Sequence, residues 1–220
     1  MKRFFRYGLL STGCKAAVVG VFLSATAAVA ETIDILALGD SLTQGYGLFE
    51  QDGFVPQLRI WLAERGHDVT IVNGGVSGDT SAGGLARVEW SLTSNIDAMI
   101  VTLGGNDLLR GVAPDEARRN IEGILQVAQK HEMEVLLIGM EAPGNFGADY
   151  KTQFDAIYPE LAAKYDAVFL DSFFAGLGEK RTPTAVAKYM QHDGIHPNPE
   201  GVKKIVDVVG PKVETLLSRL

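Results

Sequence analysis

Beyond residue 30 the chain alternates between two kinds of segment, and this alternation leaves few possible folds. The first kind is a short apolar run bounded by Gly, Asn or Asp, which is typical of a buried parallel strand. Five such runs are present: Ile33–Leu38, Val69–Val72, Ala98–Leu103, Val135–Ile138 and Ala167–Leu170. The second kind is longer and has helical spacing, in Val55–Arg65, Thr80–Leu92, Pro114–His131, about Tyr150–Lys164 and Pro199 to the C-terminus.

Strands that alternate with helices predict one α/β domain with a five-stranded parallel sheet and helices on both faces, a three-layer sandwich. The charge order of the third helix supports this, because Asp115 and Glu116 open it and Lys130 closes it, as a helix dipole favours. In such sheets ligands bind at the carboxyl ends of the strands, where the winding reverses. We therefore expect the chemistry of this chain at that edge.

The composition excludes several classes of protein. Of 220 residues 46% are hydrophobic and 21% charged, as in globular proteins, which excludes disorder and coiled coil. A net charge of -7 disfavours nucleic acid or an anionic membrane surface as the main partner, because both bind basic faces. With Cys14 as its one cysteine, the chain forms neither an intramolecular disulfide nor a cysteine zinc site. A small-molecule enzyme or binding domain remains.

Residues 1–30 have the pattern of a secretory signal peptide. Basic residues at the start precede an apolar run, Ala16–Ala30, which ends in the small-x-small sequence Ala28-Val29-Ala30 that precedes cleavage. A retained membrane anchor is the alternative, but the run of about 15 residues is shorter than the roughly 20 that a spanning helix needs. A lipoprotein signal at Cys14 fits less well, since the apolar stretch follows the cysteine.

Cleavage after Ala30 would leave one domain, residues 31–220. It would remove four basic residues and no acidic ones, changing the net charge from -7 to -11. We expect a periplasmic or secreted protein that has no stable membrane anchor after cleavage, and a monomer.

Polar residues follow three of the predicted strands, and a fourth polar block lies near the C-terminus. The four blocks are Gly39-Asp40-Ser41-Leu42, Ser77-Gly78-Asp79-Thr80, Gly104-Gly105-Asn106-Asp107 and Asp193-Gly194-Ile195-His196-Pro197. Since the carboxyl ends of parallel strands meet at one edge, we expect the first three blocks to converge there.

These residue types suit nucleophilic catalysis by a serine. The Ser41 hydroxyl needs a base, and His196 can serve as one. Asp193 can hold the other ring nitrogen of His196 and stabilise the imidazolium. An oxyanion needs rigid donors, and the candidates are the amides of Ser41 and Gly78 and the side chain of Asn106.

Together the four blocks resemble those of the GDSL, or SGNH, hydrolase family, over nearly all of the chain after residue 33. Within it, the chain is most similar to the thioesterase I / lysophospholipase L1 / arylesterase branch. Further segments carry that similarity: Gly45-Tyr46, Gly84-Leu85-Ala86-Arg87, Leu109-Arg110-Gly111 and Ala156-Ile157-Tyr158-Pro159. The resemblance implies a flavodoxin-like sheet, a Ser41/His196/Asp193 triad and an oxyanion hole of Ser41, Gly78 and Asn106. It also implies hydrolysis of acyl esters and thioesters without metal or organic cofactor.

The resemblance implies further that the segments after Asn106 and Pro143 line an acyl groove, and that the segment from Asp107 to Gly111 is a mobile loop. The predicted substrate-binding residues are Leu42, Asp107, Leu108, Leu109, Pro143 and Phe146. Chain-length preference and the identity of the leaving group do not follow from these residues.

The same residues also allow other interpretations. Ser41 alone could be a helix N-cap, and Asn106 could brace its own loop. His192, Asp193 and His196 have loosely metal-like spacing, but Gly194 and Pro197 disfavour the helix that such a pair of histidines prefers. No phosphate-binding G-x-x-x-x-G-K-[ST] loop occurs. The absence of G-x-S-x-G around Ser41 speaks against an α/β-hydrolase fold and leaves serine hydrolysis open.

The sequence thus predicts an exported serine esterase or thioesterase whose partner is a small acyl ester or thioester. A carbohydrate O-acetyl esterase of the same superfamily is one alternative. A non-catalytic envelope protein that binds lipid or glycan is the other.

Overall fold

The five predicted strands form a single parallel sheet in the computed structural model, which describes Met1 and residues 32–93, 95–178 and 182–220. The strands are β1 Ile33–Gly39, β2 Val69–Gly75, β3 Ala98–Thr102, β4 Glu134–Ile138 and β5 Val168–Leu170. Their order across the sheet is β2-β1-β3-β4-β5, and all neighbouring pairs are parallel. The winding therefore reverses between β1 and β3, which opens a crevice at their carboxyl ends.

Helices join and flank the strands. They are α1 Ser41–Gln44, α2 Phe54–Ala63, α3 Ser81–Ser91, α4 Gly105–Arg110, α5 Pro114–Lys130, α6 Ala148–Asp155, α7 Ile157–Lys164, α8 Pro183–Val186 and α9 Pro199–Leu217. Short 3-10 turns lie at Glu50–Asp52, Ala175–Leu177 and Ala187–Tyr189.

The direction of each crossover decides which face a helix covers. The step from β1 to β2 runs one way across the sheet, and the steps from β2 to β5 run the other way. Because such crossovers are right-handed, α2 lies on one face and the helices between β2 and β5 on the other. Accordingly α2 packs against α9, while α3 packs against α5.

The core lies on both faces of the central strands. Ile35–Leu38 of β1 are each 1% exposed or less, and all five residues of β3 are buried. This explains why these strands read as continuous apolar runs rather than as an alternating pattern. The α/β sandwich predicted from that pattern is confirmed.

Two details differ from the sequence prediction. The helix expected over Tyr150–Lys164 is two helices, α6 and α7, which meet at Ala156. The short helices α1, α4 and α8 were not predicted, since four to six residues are too few to show helical periodicity.

Residues Thr32–Leu220 form one compact unit. The predicted signal peptide lies outside the described residues, apart from Met1. Among the residues that the structure describes, no helix has the length and apolar character needed to cross a bilayer.

Helix α9 approaches α2 closely at Gly210. A Cβ atom there would lie 2.5–2.6 Å from three atoms of the Trp61 ring, which is 8% exposed. The guanidinium of Arg65 lies 3.6 Å from the centroid of the same ring. The ring has little room to move, so the contact requires glycine.

Gly210→Ala should destabilise the protein even though alanine is the better helix former. The helix preference contributes about 1 kcal/mol, whereas overpacking costs about 1–3 kcal/mol, so we expect a net loss in free energy of unfolding, measured in urea. In a Trp61→Ala background the same change should stabilise. Equal effects in the two backgrounds would contradict the contact.

Candidate active site

The turn that carries Ser41, the predicted nucleophile, follows β1 directly. A Cβ at Gly39 would lie 2.9 Å from the carbonyl oxygen of Thr102, so only glycine fits at the strand end. Asp40 then caps α1, its Oδ1 accepting the amide of Leu42 at 2.9 Å. Ser41 is the first residue of α1. The cap is Asp40, which leaves the Ser41 hydroxyl free to face the crevice.

The loop near the C-terminus brings His196 to Ser41. The Nε2 atom of His196 lies 2.8 Å from the Oγ of Ser41, across 155 positions of sequence. Nδ1 lies 2.6 Å from Oδ2 of Asp193. The other oxygen of Asp193 accepts the amides of Ile195 at 2.9 Å and His196 at 3.0 Å, a tight loop that Gly194 closes with a φ of 69°.

These contacts determine the protonation of the pair. Partial burial raises the pKa of Asp193, but hydrogen bonds from the His196 ring and from the amides of His196 and Ile195 outweigh it and lower the pKa to about 2. The ionised carboxylate holds the proton of a neutral imidazole on Nδ1, so Nε2 carries a lone pair towards Ser41. The imidazole is thereby oriented to take a proton from the hydroxyl.

Two residues that the sequence predicts as oxyanion donors line the same groove as Ser41. Gly78 has a φ of 84°, which favours glycine, and Arg110 donates to its carbonyl at 2.8 Å. The amide of Asn106 donates to the carbonyl of Asp79 at 2.9 Å and to Oδ2 of Asp40 at 3.2 Å. Asn106 therefore joins three strand-end segments, rather than only bracing its own.

The buried guanidinium of Arg87 stabilises this carboxyl edge of the sheet. Arg87, 9% exposed, donates from Nε to the carboxylate of Asp79 at 2.6 Å and from Nη2 to the carbonyl of Gly39 at 2.8 Å. It thus connects the residue after Gly78 to the end of β1.

Asp107 is not placed to contact a substrate, and that prediction is wrong. Its carboxylate is fully buried and accepts both the amide of Ser81, at 2.8 Å, and the Ser81 hydroxyl, at 2.5 Å. It fixes α4 to the start of α3, so the residue supports Asn106 from the inside. The segment expected to be a mobile loop is this helix and its Gly111 cap.

Phe146 also lies outside the groove lining, contrary to the prediction. Its ring packs on Tyr150 with centroids 5.0 Å apart. The Tyr150 hydroxyl donates to the carbonyl of Val112 at 2.8 Å, and the buried Tyr158 donates to Leu103 at 2.9 Å. These aromatic side chains of the α6–α7 region hold α4 at both ends.

An open groove of about 1880 Å³ contains Ser41 and His196. The predicted residues Leu42, Leu108, Leu109 and Pro143 line it. Further apolar residues that line it are Leu48, Phe49, Met140, Ala142, Phe174, Leu177, Val186 and Met190. Those after residue 170 show no periodic pattern in the sequence, because they lie in loops or in helical segments of only three or four residues.

Tyr46 has no predicted role beyond the family resemblance, yet its ring lies next to that of His196. Its ring centroid lies 4.7 Å from that of His196, and its side chain is about half exposed. His192 is exposed at the rim of the same groove.

The described residues offer little to a metal ion. Among them, no three His, Cys, Asp or Glu side chains cluster in a metal-binding arrangement. His67 pairs with Glu214 and His131 with Glu89, both away from the groove.

A serine, a histidine and an aspartate in hydrogen-bonded order, at the carboxyl edge of a doubly wound sheet, are the arrangement of a serine hydrolase. The Ser41 turn lacks the G-x-S-x-G sequence of the α/β-hydrolases.

Comparison with known proteins identifies the family. The GDSL-like Lipase/Acylhydrolase family matches residues 37–204. Esterase TesA of Pseudomonas aeruginosa is 38% identical over 95% of this chain and 98% of its own. Thioesterase 1/protease 1/lysophospholipase L1 of Escherichia coli K12 is 35% identical over 90% of each. The crystal structure of AlinE4, an SGNH-hydrolase family esterase, matches with a TM-score of 0.68 and 42% identity, covering 85% of this chain and 97% of that one.

The chain belongs to the GDSL-like lipase/acylhydrolase family. This is the family that the four polar blocks of the sequence resemble. The chain is a serine hydrolase that acts on ester or thioester bonds.

Asp40 should give the stability of the protein a pH dependence. Burial raises the pKa of Asp40 from 3.8 to about 6, although hydrogen bonds from Leu42 and Asn106 oppose the change. Because the folded pKa is the higher one, stability from this group is complete below pH 3.8 and is lost as the pH rises to about 6. The loss is on the order of 3 kcal/mol.

Asp40→Asn does not titrate and should lack this component. The measurement is urea unfolding of both proteins between pH 4 and 7, comparing the change with pH rather than the absolute stability. The same pH dependence in both proteins would show that Asp40 does not titrate in this range.

Proposed function

We propose that this chain is an exported esterase and thioesterase that works through an acyl-enzyme on Ser41, with His196 as base and Asp193 as its partner. The main support is the continuous hydrogen-bonded series from the Asp193 carboxylate through His196 to the Ser41 hydroxyl, with distances of 2.6 and 2.8 Å. The series lies in a largely apolar groove that can take an acyl chain.

Acylation begins when Ser41 attacks the carbonyl carbon and Nε2 of His196 takes the hydroxyl proton. Asp193 stabilises the imidazolium that forms. The tetrahedral intermediate collapses, the bond to the leaving oxygen or sulfur breaks, and His196 gives its proton to that atom. In deacylation His196 takes a proton from a water molecule that attacks the acyl carbon. The bond from that carbon to Oγ of Ser41 breaks, His196 returns the proton to Oγ, and the acid is released.

The amides of Ser41 and Gly78 and the side chain of Asn106 bind the oxyanion in this proposal. Asn106 has two amide hydrogens, and the longer bond, to Asp40 at 3.2 Å, is the weaker one. A small rotation of the whole amide group about its bond to Asp79, 2.9 Å, would turn that hydrogen from Asp40 to the oxyanion.

Substrate contacts follow from the groove. Leu42, Leu108, Leu109 and Pro143 would pack along the acyl chain. The leaving group departs next to His196, where the half-exposed Tyr46 lies, so an aryl alcohol has a ring to pack on there. The relatives' names add thioesters and lysophospholipids to the substrates worth testing.

Kinetics on p-nitrophenyl esters of rising chain length test the assignment. Ser41→Ala should abolish activity, and Asn106→Ala should lower kcat about 100- to 1000-fold, as loss of an oxyanion donor does. Asn73→Ala is the control. Asn73 lies near the end of β2, and among the described residues its side chain bonds to the amide of Gly75 and the carbonyl of Gln44, so the variant should keep near wild-type activity.

Mass spectrometry tests the covalent step. After a short reaction with a slowly deacylating ester, wild type should carry one acyl group on the peptide that contains Ser41, and Ser41→Ala none. Full activity in Ser41→Ala would refute the proposed mechanism.

The proposed export rests on residues 1–30. We propose that the mature enzyme is a monomer without a membrane anchor that begins at Glu31. Expressed from its own start in a bacterium with a periplasm, the wild type should be recovered there with a mass lacking residues 1–30. Ala28→Arg, which breaks the small-x-small sequence, should retain them. Wild type that keeps its N-terminus would contradict export by cleavage.

A further inference from the structure

We propose that Gln191 is a positioning residue, whose side-chain amide fixes His196 at reacting distance from Ser41. The inference rests on the function proposed above. Its basis is one hydrogen-bonded path that joins the segment after the nucleophile to the loop that carries the base.

Gln191 uses both of its amide hydrogens as a bridge. Nε2 donates to the carbonyl of Tyr46 at 2.8 Å and to the carbonyl of Pro197 at 3.0 Å. Tyr46 follows the helix that begins with Ser41, and Pro197 is the residue after His196. One amide group therefore joins the two parts of the chain that carry the reacting atoms.

The bridge is also tied to the reacting residues at both ends. The backbone amide of Tyr46 donates to the carbonyl of Ser41 at 3.1 Å. The backbone amide of Gln191 donates to the carbonyl of His196 at 2.8 Å, and its carbonyl accepts from Gly194 at 3.0 Å. Movement of the His196 loop away from Ser41 would thus have to break the bond to Tyr46, and movement of His196 within its own loop would have to break the bond to Pro197.

The absence of a side chain at Gly47 makes room for the amide group of Gln191. The φ of Gly47 is 74°, and a Cβ there would collide with Oε1 of Gln191. The side chain of Gln191 occupies the space that any larger residue at position 47 would need. Gly47→Ala should therefore displace the amide group without altering Gln191 itself.

The chain supplies a matched comparison in Gln57. Its Nε2 also donates to two carbonyls, those of Asp52 at 2.9 Å and Pro199 at 3.2 Å. These link the same two segments, but each acceptor lies farther along the chain from its reacting residue. Gln57 has the same bonding pattern without the direct connection to Ser41 and His196.

Losing the bridge should affect both steps of the proposed reaction, because both use His196 as the base. Acylation and deacylation both need His196 in place, so a displaced imidazole should slow both steps by a similar factor. For an acyl-enzyme mechanism kcat then falls while KM stays constant, because KM depends on the ratio of the two rates. Misplacement by about 1 Å can cost on the order of 100-fold.

The test uses Gln191→Met and Gln57→Met, which keep the side-chain length and lose both donors. With p-nitrophenyl butyrate, Gln191→Met should lose about 10- to 100-fold in kcat at nearly constant KM, and Gln57→Met should remain close to wild type. Urea unfolding of both variants shows whether they lose similar stability. Gly47→Ala should reproduce the kinetic effect of Gln191→Met.

Two outcomes overturn the inference: Gln191→Met with wild-type kcat, or a loss of kcat in both methionine variants that follows their stability. Labelling by a fluorophosphonate probe gives a second readout, and its rate should fall in Gln191→Met and Gly47→Ala alone. Ser41→Ala separates the two proposals. If wild-type activity does not need Ser41, the proposed function fails, whereas an active wild type with an unaffected Gln191→Met refutes only the bridge.

Discussion

The buried carboxyl of Asp40 connects the parts of this site. One of its oxygens caps the helix that begins with Ser41, and the other accepts from Asn106. Ser41 and the side-chain amide of Asn106 are thus held by the same carboxyl group, which is 1% exposed. Burial opposes its ionisation, so the protein places a costly group where it aligns two strand ends. Arg87 and Asp107 reinforce the same edge from behind.

The sequence predicted the sheet and the reacting residues because both depend on local chemistry. Buried parallel strands need apolar residues on both faces, so each of the five strands is a continuous apolar run in the sequence. Ser41, Asn106 and His196 follow strands or glycines in short blocks, and the structure brings them together. Their catalytic roles remain the proposal made above.

Other parts of the site depend on tertiary contacts that no local pattern encodes. Asp107 lies next to Asn106 in sequence, yet its side chain points inward to Ser81. Phe146 follows Pro143 on a strand-end loop but packs on Tyr150. The bridge from Gln191 to Tyr46 spans 145 positions. Packing between helices, strands and loops decides where these side chains point. Neither periodicity nor composition contains that information.

The proposed base His196 and its partner Asp193 lie within four residues of one loop, so that activity and fold can be lost separately. Asp193 holds His196 by the ring and by the backbone amide, so imidazole and carboxylate travel together when the loop moves. A local opening of this loop can withdraw the pair from Ser41 while the sheet remains packed. Loss of the proposed catalysis is then separable from loss of the fold.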